Sequence, residues 1–262
     1  MKTLFESGRL SVAPSETLLM ELGTEYCLLS KMDPETGAPA FARLYAFPER
    51  NLQAALESIV GLVKESAADD VHLVASLAFP QAAIVPEANG VAYPQMLQAL
   101  FPGSIGRPAT YVNGKTYAFH VPPAVHQVLG KHFRSVEYRP AIACVPEGDG
   151  EANSIHVFFV DHQIRVAVYK QHQLQLVQQY SFQVPLDVVY YLLKICTEFS
   201  LSQQETLVSV SGFIEAVSPL YKELHQYFLN IRFSPLQSVD IDGQPVPQYY
   251  FSSLYNLAQC AL

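Results

Sequence analysis

Three segments in the second half of the chain, Ile155-His-Val-Phe-Phe-Val160, Ile164-Arg-Val-Ala-Val-Tyr169 and Leu174-Gln-Leu-Val-Gln-Gln-Tyr180, repeat with a period of two. That period throws successive side chains to opposite faces, so each segment reads as a strand. The connections Asp161-His162-Gln163 and 170–173 are short and polar, which makes the three an antiparallel meander. Arg165, Gln175 and Gln179 keep part of one face wet. The period then changes: Val188, Leu192, Ile195, Cys196 and Phe199 form one apolar stripe at helical spacing, after Pro185 and Asp187 in a first turn. A strand over Thr206–Ser211, a helix around Pro219–Leu229, a strand at Ile231–Phe233 and a final helix from about Tyr250 follow. The expected order is β-β-β-α-β-α-β-α.

The first half opens with the same rhythm. Leu18–Leu22, Tyr26–Ser30 and Phe41–Phe47 read as strands, joined by Gly23-Thr24-Glu25 and by the turn-forming Asp33-Pro-Glu-Thr-Gly37. A helix capped by Asn51 and a strand at His72–Ser76 come next. Tyr45-Ala46-Phe47 matches Tyr180-Ser181-Phe182, with 25 residues from Phe47 to His72 and 24 from Phe182 to Thr206. A duplicated unit is the economical reading, with a chance match of two meanders as the alternative. The first half then inserts residues around 79–121, including an Asn113-Gly114 hairpin, before a helix over Pro123–Phe133 and a strand over Ala141–Val145. The charged, glycine-bearing run 146–153 marks a boundary, giving units of 1–148 and 149–262.

Composition narrows the function classes. Half of the 262 residues are hydrophobic and 15% are charged, enough for substantial cores and too apolar for disorder. The net charge of −8, with no basic run, argues against nucleic acid or anionic lipid as a general partner. Cys27, Cys144, Cys196 and Cys260 are each more than 50 residues from the next, without metal-binding spacing, and read as buried thiols in a reducing compartment. The stretch Val71–Pro86 is broken by His72, Ser76, Gln81 and two prolines, and Met1–Thr17 has no apolar signal core. No membrane insertion and a cytoplasmic location are therefore expected.

A three-stranded meander followed by alternating helices and strands, present twice, resembles the ribonuclease H-like fold as duplicated in the actin, sugar-kinase and heat-shock chaperone superfamily. The length, the double meander and the ending Tyr249-Tyr-Phe-Ser-Ser-Leu-Tyr-Asn-Leu257 look more narrowly like a bacterial family of unknown function, found mainly in Bacteroidetes, with an actin-like ATPase fold. The fold class that this resemblance implies is α/β, with two mixed sheets, each carrying a three-stranded antiparallel meander and flanking helices.

The resemblance also implies ATP with magnesium between two halves, held by three loops. The first is an Asp-x-Gly-Thr hairpin, and Glu21-Leu22-Gly23-Thr24 stands at that position with Glu for Asp. Gly23 would permit a positive φ and close approach of phosphate; an ordinary polar hairpin uses the same residues. The second is an Asp followed by glycines, and Asp161-His162-Gln163 has none. Without glycine the left-handed conformations that build a nest of amides are disfavoured, so this clamp looks lost, and Asp161 and His162 read as turn residues. The third is a strand ending in a Gly-Gly pair; Ser211 and Gly212 are kept, and Phe213 replaces the second glycine. Phe213 either fills the place of a purine, stacks on one, or packs in the core.

Phosphoryl transfer in such a fold needs both hairpins to position and stabilise the transferring group. The expectation is therefore a degenerate, non-hydrolysing scaffold or adaptor acting through another protein, with no cofactor. The alternative is an ATP-binding regulator or weak ATPase that uses the cleft between its halves. A two-metal nuclease would need several carboxylates on neighbouring strands, where the C-terminal half offers Asp161 at a strand end, Asp187 in a helix start and little else, and Asp240-Ile-Asp242-Gly243 lacks the spacing and closing Glu of a calcium loop. The aromatic C-terminal segment is either core or a docking face.

Overall fold

The computed structural model describes residues 1–13, 16–32, 39–66, 71–85, 92–146, 150–234, 238–241 and 244–261. The chain divides into two compact units, one of 1–144 with 241–244 and 254–262, the other of 145–240 with 245–253. The turn expected at 33–37, part of the boundary run (147–149) and Asp242-Gly243 lie outside the described residues.

In the first unit β1 (Lys2–Ser7), β2 (Thr17–Gly23), β3 (Tyr26–Met32), β4 (Pro39–Ala46), β5 (His72–Ala78) and β9 (Ser135–Pro140) form one sheet in the order β1-β4-β3-β2-β5-β9. β2, β3 and β4 are the antiparallel meander, while β2, β5 and β9 run parallel. Parallel neighbours need crossovers, which α1 (Leu52–Ser66) and α3 (Pro123–His132) supply. Leu56, Ile59 and Val63 of α1 with Val125 and Leu129 of α3 bury against Leu18, Met20, Leu22, Leu73 and Leu77. Between β5 and α3 lie β6 (Ala82–Val85), α2 (Tyr93–Leu100), β7 (Arg107–Asn113) and β8 (Lys115–Val121), whose strands make a separate sheet in the order β6-β8-β7.

The second unit repeats the pattern. β10 (Asn153–Val160), β11 (Gln163–Lys170), β12 (Gln173–Ser181), β13 (Leu207–Gly212) and β14 (Ile231–Phe233) form a sheet ordered β12-β11-β10-β13-β14. β10 to β12 are antiparallel, and β10, β13 and β14 are parallel. The crossovers are α4 (Pro185–Phe199) and α5 (Pro219–Tyr227), packed on Ile155, Val157, Val166 and Val210 through Val188, Leu192, Ile195 and Leu224. β15 (Ser238–Ile241) and β16 (Gln244–Pro247) form a small ribbon, and a 3-10 turn leads to α6 (Ser252–Ala261), most of which belongs to the first unit. Deleting the insertion and β1 leaves five strands in the same order and sense in both sheets.

Local chemistry explains the ends of these elements. Asp187 Oδ2 accepts from the main-chain N–H of Gln183 (2.8 Å) and Val184 (3.0 Å), which caps α4 and holds its carboxyl below the usual range. Ser200 closes the helix in the left-handed region, and Lys170 Nζ donates to the Phe199 carbonyl at 2.7 Å. Ser218 caps α5 by accepting from Tyr221 N–H. Gln171 and His172 both have positive φ, the conformation a two-residue type I′ hairpin requires, and Asn153 Oδ1 accepts from Gln171 N–H.

Three expectations change. Lys2–Ser7, read only for the absence of a signal core, adds an edge strand against β4. The strand expected over Ala141–Val145 is instead β9, and Ala141–Ala143 form a 3-10 turn. β9 alternates polar and apolar residues and carries the charged pair Glu137 and Arg139 on one face; the pair is tolerated because Arg139 Nε and Nη2 both reach Glu137 Oε1, at 2.8 and 2.6 Å. Cys260 is half-buried, while Cys27, Cys144 and Cys196 are buried. No described helix is long and apolar enough to cross a membrane.

Candidate functional site

Glu21, Gly23 and Thr24 belong to the β2–β3 hairpin of the first unit. Glu21 is fully buried, opposite Leu28 on β3 and Ser76 on β5. A buried carboxylate needs donors, and the Tyr26 hydroxyl donates to Glu21 Oε1 at 2.7 Å. The dryness of this spot also acts on Cys27, whose thiol is pushed far up, first by burial and then by the Glu21 charge. Gly23 does not adopt the positive φ expected of it. Its missing side chain serves another purpose, because a Cβ added there would overlap the Tyr26 ring. Thr24 and Glu25 form the two-residue turn, and the Glu25 carbonyl accepts from Phe47 N–H at 2.8 Å.

The parallel register places Glu21, Ser76 and Arg139 in one row across β2, β5 and β9. All three are buried, and the Arg139 guanidinium lies over the Tyr111 ring at 5.3 Å. Ser76 Oγ and Arg139 Nη1 have no hydrogen-bond partner among the described residues. Neither was singled out in the sequence, where Ser76 reads as a polar interruption of an apolar strand.

The other candidates sit at two neighbouring strand ends of the second unit. Phe158 and Phe159 of β10 stand in register with Ser211 and Gly212 of β13. Past them, Asp161 takes φ +48° although the hairpin has no glycine; Asp is one of the few residues that tolerates this region. Asp161 and the exposed His162 approach at 3.8 Å, an ion pair when the imidazole is protonated. The His162 carbonyl accepts from Phe182 N–H, and its ring edge meets Phe182 at 6.1 Å.

Gly212 does adopt positive φ, +83°, and a Cβ there would overlap the Phe159 main chain. Phe213 N–H donates to the Phe159 carbonyl at 2.8 Å, and Ile214 N–H to the Gly212 carbonyl at 2.9 Å. The Phe213 ring lies 5.3 Å from Tyr250 and 6.1 Å from Phe251. Phe213 is partly buried, with its ring against these two aromatic neighbours. Tyr250 Oη donates to Glu215 Oε1 at 3.2 Å; burial, then the charge of Glu215, pushes its phenol up to about 12. No group of three His, Cys, Asp or Glu suited to a metal ion occurs among the described residues.

A protein from Bacteroides thetaiotaomicron with an actin-like ATPase fold and unknown function matches this structure with a TM-score of 0.69 at 13% identity, over 84% of this chain and 91% of that one. This chain has the actin-like ATPase fold. Two further structures agree: the PilM–PilN type IV pilus biogenesis complex (TM-score 0.64, 12% identity, 94% and 98% coverage) and the ethanolamine utilization protein EutJ from Carboxydothermus hydrogenoformans (0.51, 12%, 94% and 89%). The duplicated five-stranded sheets are the two ribonuclease H-like halves of that actin-like fold. Residues 110–231 match the family model described as protein of unknown function, DUF3822. No curated protein matches the sequence.

Proposed function

We propose that this actin-like chain is a non-hydrolysing scaffold or adaptor that works through protein–protein contacts. One arrangement carries the reading: the acid at the position of the superfamily's magnesium-orienting Asp is buried under the Tyr26 hydroxyl, and the same ring fills the space beside Gly23. An acid held this way serves the hairpin, and a glycine with an aromatic ring against it offers no bare main chain to a phosphate. The Asp161-His162 turn presents side chains where glycines would expose amides, and the Gly212 vacancy takes up the Phe159 backbone. These residues do not fit magnesium ATP, and no hydrolytic step is derived from them. Likeness in fold to the PilM–PilN complex supports a role in an assembly of proteins.

The observation on the other side is the row of Glu21, Ser76 and Arg139, in which a hydroxyl and a guanidinium nitrogen lack partners. It favours an anion-binding regulator as the second reading. Thermal unfolding with and without magnesium ATP decides between them, since a ligand at a hundred times its Kd adds about 2.7 kcal/mol. The scaffold shows no shift at millimolar nucleotide. A clear shift, abolished by Thr24→Val or Asp161→Asn, overturns it.

A further inference from the structure

β12 is an edge strand: among the described residues it pairs with β11 and with no other strand. A bulge at its start gives way to an unbroken ladder over Leu176–Ser181, whose outer main-chain groups face away from the sheet, the Ser181 carbonyl among them being taken by Tyr191. Beside this edge, between β12 and α4, runs a groove of about 310 Å³ floored by Leu176, Tyr180, Tyr191 and Ile195 and rimmed by Lys194 and Glu198. Tyr180 and Tyr191 stack at 4.6 Å and 16°, and Tyr191 Oη donates to the Ser181 carbonyl, so the floor is pre-organised. Tyr190, at the groove, is 60% exposed.

We infer that this edge and groove bind an extended peptide segment of another protein, added antiparallel to β12, with the side-chain order large apolar, acidic, basic at alternate positions. The inference rests on the scaffold reading above and names its surface. An open edge dictates an extended backbone, because only a strand can satisfy a row of alternating donors and acceptors. Antiparallel addition continues the β11–β12 ladder and is the more stable pairing per residue.

Charge complementarity sets the order. The chain reverses between Ser181 and Pro185, so a strand antiparallel to β12 runs along α4 in the helix's own direction. It meets Tyr191, then Lys194, then Glu198. A helix rises about 1.5 Å per residue, which puts Lys194 and Glu198 about 6 Å apart along the axis. Two strand residues span about 6.8 Å, so side chains of one face, taken alternately, reach the two charges in turn. Both charges are exposed and neither makes an ion pair among the described residues; Lys four residues before Glu is also the weaker order for a pair within a helix.

The test uses the full chain and a fluorescein-labelled peptide of alternating threonines with Phe, Asp and Lys, in that order, at the intervening positions. Anisotropy should show saturable binding, at least about tenfold weaker for the peptide with Asp and Lys exchanged and lost when the threonine amides are N-methylated. The double variant Lys194→Glu/Glu198→Lys, on the solvent side of α4, should prefer the exchanged peptide. No binding, equal binding of both peptides, or a preference that the double variant fails to invert overturns the inference. So does a dimer of the protein alone that the peptide cannot dissociate, which would give the edge to a second copy. Stabilisation by magnesium ATP removes the scaffold reading whatever the peptide does; peptide failure without such stabilisation removes only this surface.

Discussion

The Tyr26 hydroxyl stands 2.7 Å from Glu21 Oε1, and the ring behind it lies where a side chain at position 23 would have to go. One aromatic residue thus answers for two features of the hairpin, the buried acid and the glycine. Glu reaches a phenol across the turn, which the shorter Asp of a magnesium loop would not, and the hydrogen bond replaces the water that burial removed.

Tyr26→Phe removes the donor and leaves a buried carboxylate short of one hydrogen bond. A loss of about 1.5–3 kcal/mol is expected from urea denaturation, with an unchanged m-value. Gly23→Ala should destabilise the native protein strongly and the Tyr26→Ala variant much less, a coupling of about 0.5–3 kcal/mol in the double-mutant cycle. Additive losses would show that the ring is not what requires the glycine.

Gly212→Ala should lose at least about 1–2 kcal/mol, since its φ of +83° is unfavourable for any L-side chain and the Phe159 main chain leaves no room to relax. The measurement is Tm by calorimetry, and a shift within error would contradict the geometry.

Thiol labelling of the native protein should show one fast site among four. Cys260 is half-buried, whereas Cys27 and Cys144 are buried and burial lifts the Cys196 thiol to about 11. A thiolate is the nucleophile, so lack of access protects all three, and the raised thiols of Cys27 and Cys196 protect those two further. Mass spectrometry after brief iodoacetamide treatment should place the label on Cys260, with all four labelled in guanidinium.

Asp187→Asn should lower Tm at neutral pH, with a difference that shrinks as the solution is acidified. The folded carboxyl is held below its usual 3.8 by the N–H groups of Gln183 and Val184. A depressed carboxyl stabilises the fold above its unfolded pKa, and that contribution disappears as pH falls through the folded value. A constant difference down to pH about 2 would assign the effect to something other than the charge.

The doubled meander, α1, α4 and the Asn113-Gly114 hairpin were legible because side-chain period and turn chemistry are local. β9 was not, since the more apolar run Ala141–Val145 just after it offered the stronger local signal, while β9 carries a charged pair, Glu137 and Arg139, joined by its own ion pair. At the candidate site, the sequence revealed which glycines were present and which were missing. It could not reveal that Gly23 answers to Tyr26 and Gly212 to Phe159, nor that Asp161 turns left-handed without a glycine. By itself, the order of residues determined the two-fold rhythm of strands and helices, because alternation and helical spacing act within a few residues along the chain. Only tertiary structure decided what each special residue is for, because steric room and desolvation are set by neighbours that pairing of strands brings together from elsewhere in the chain.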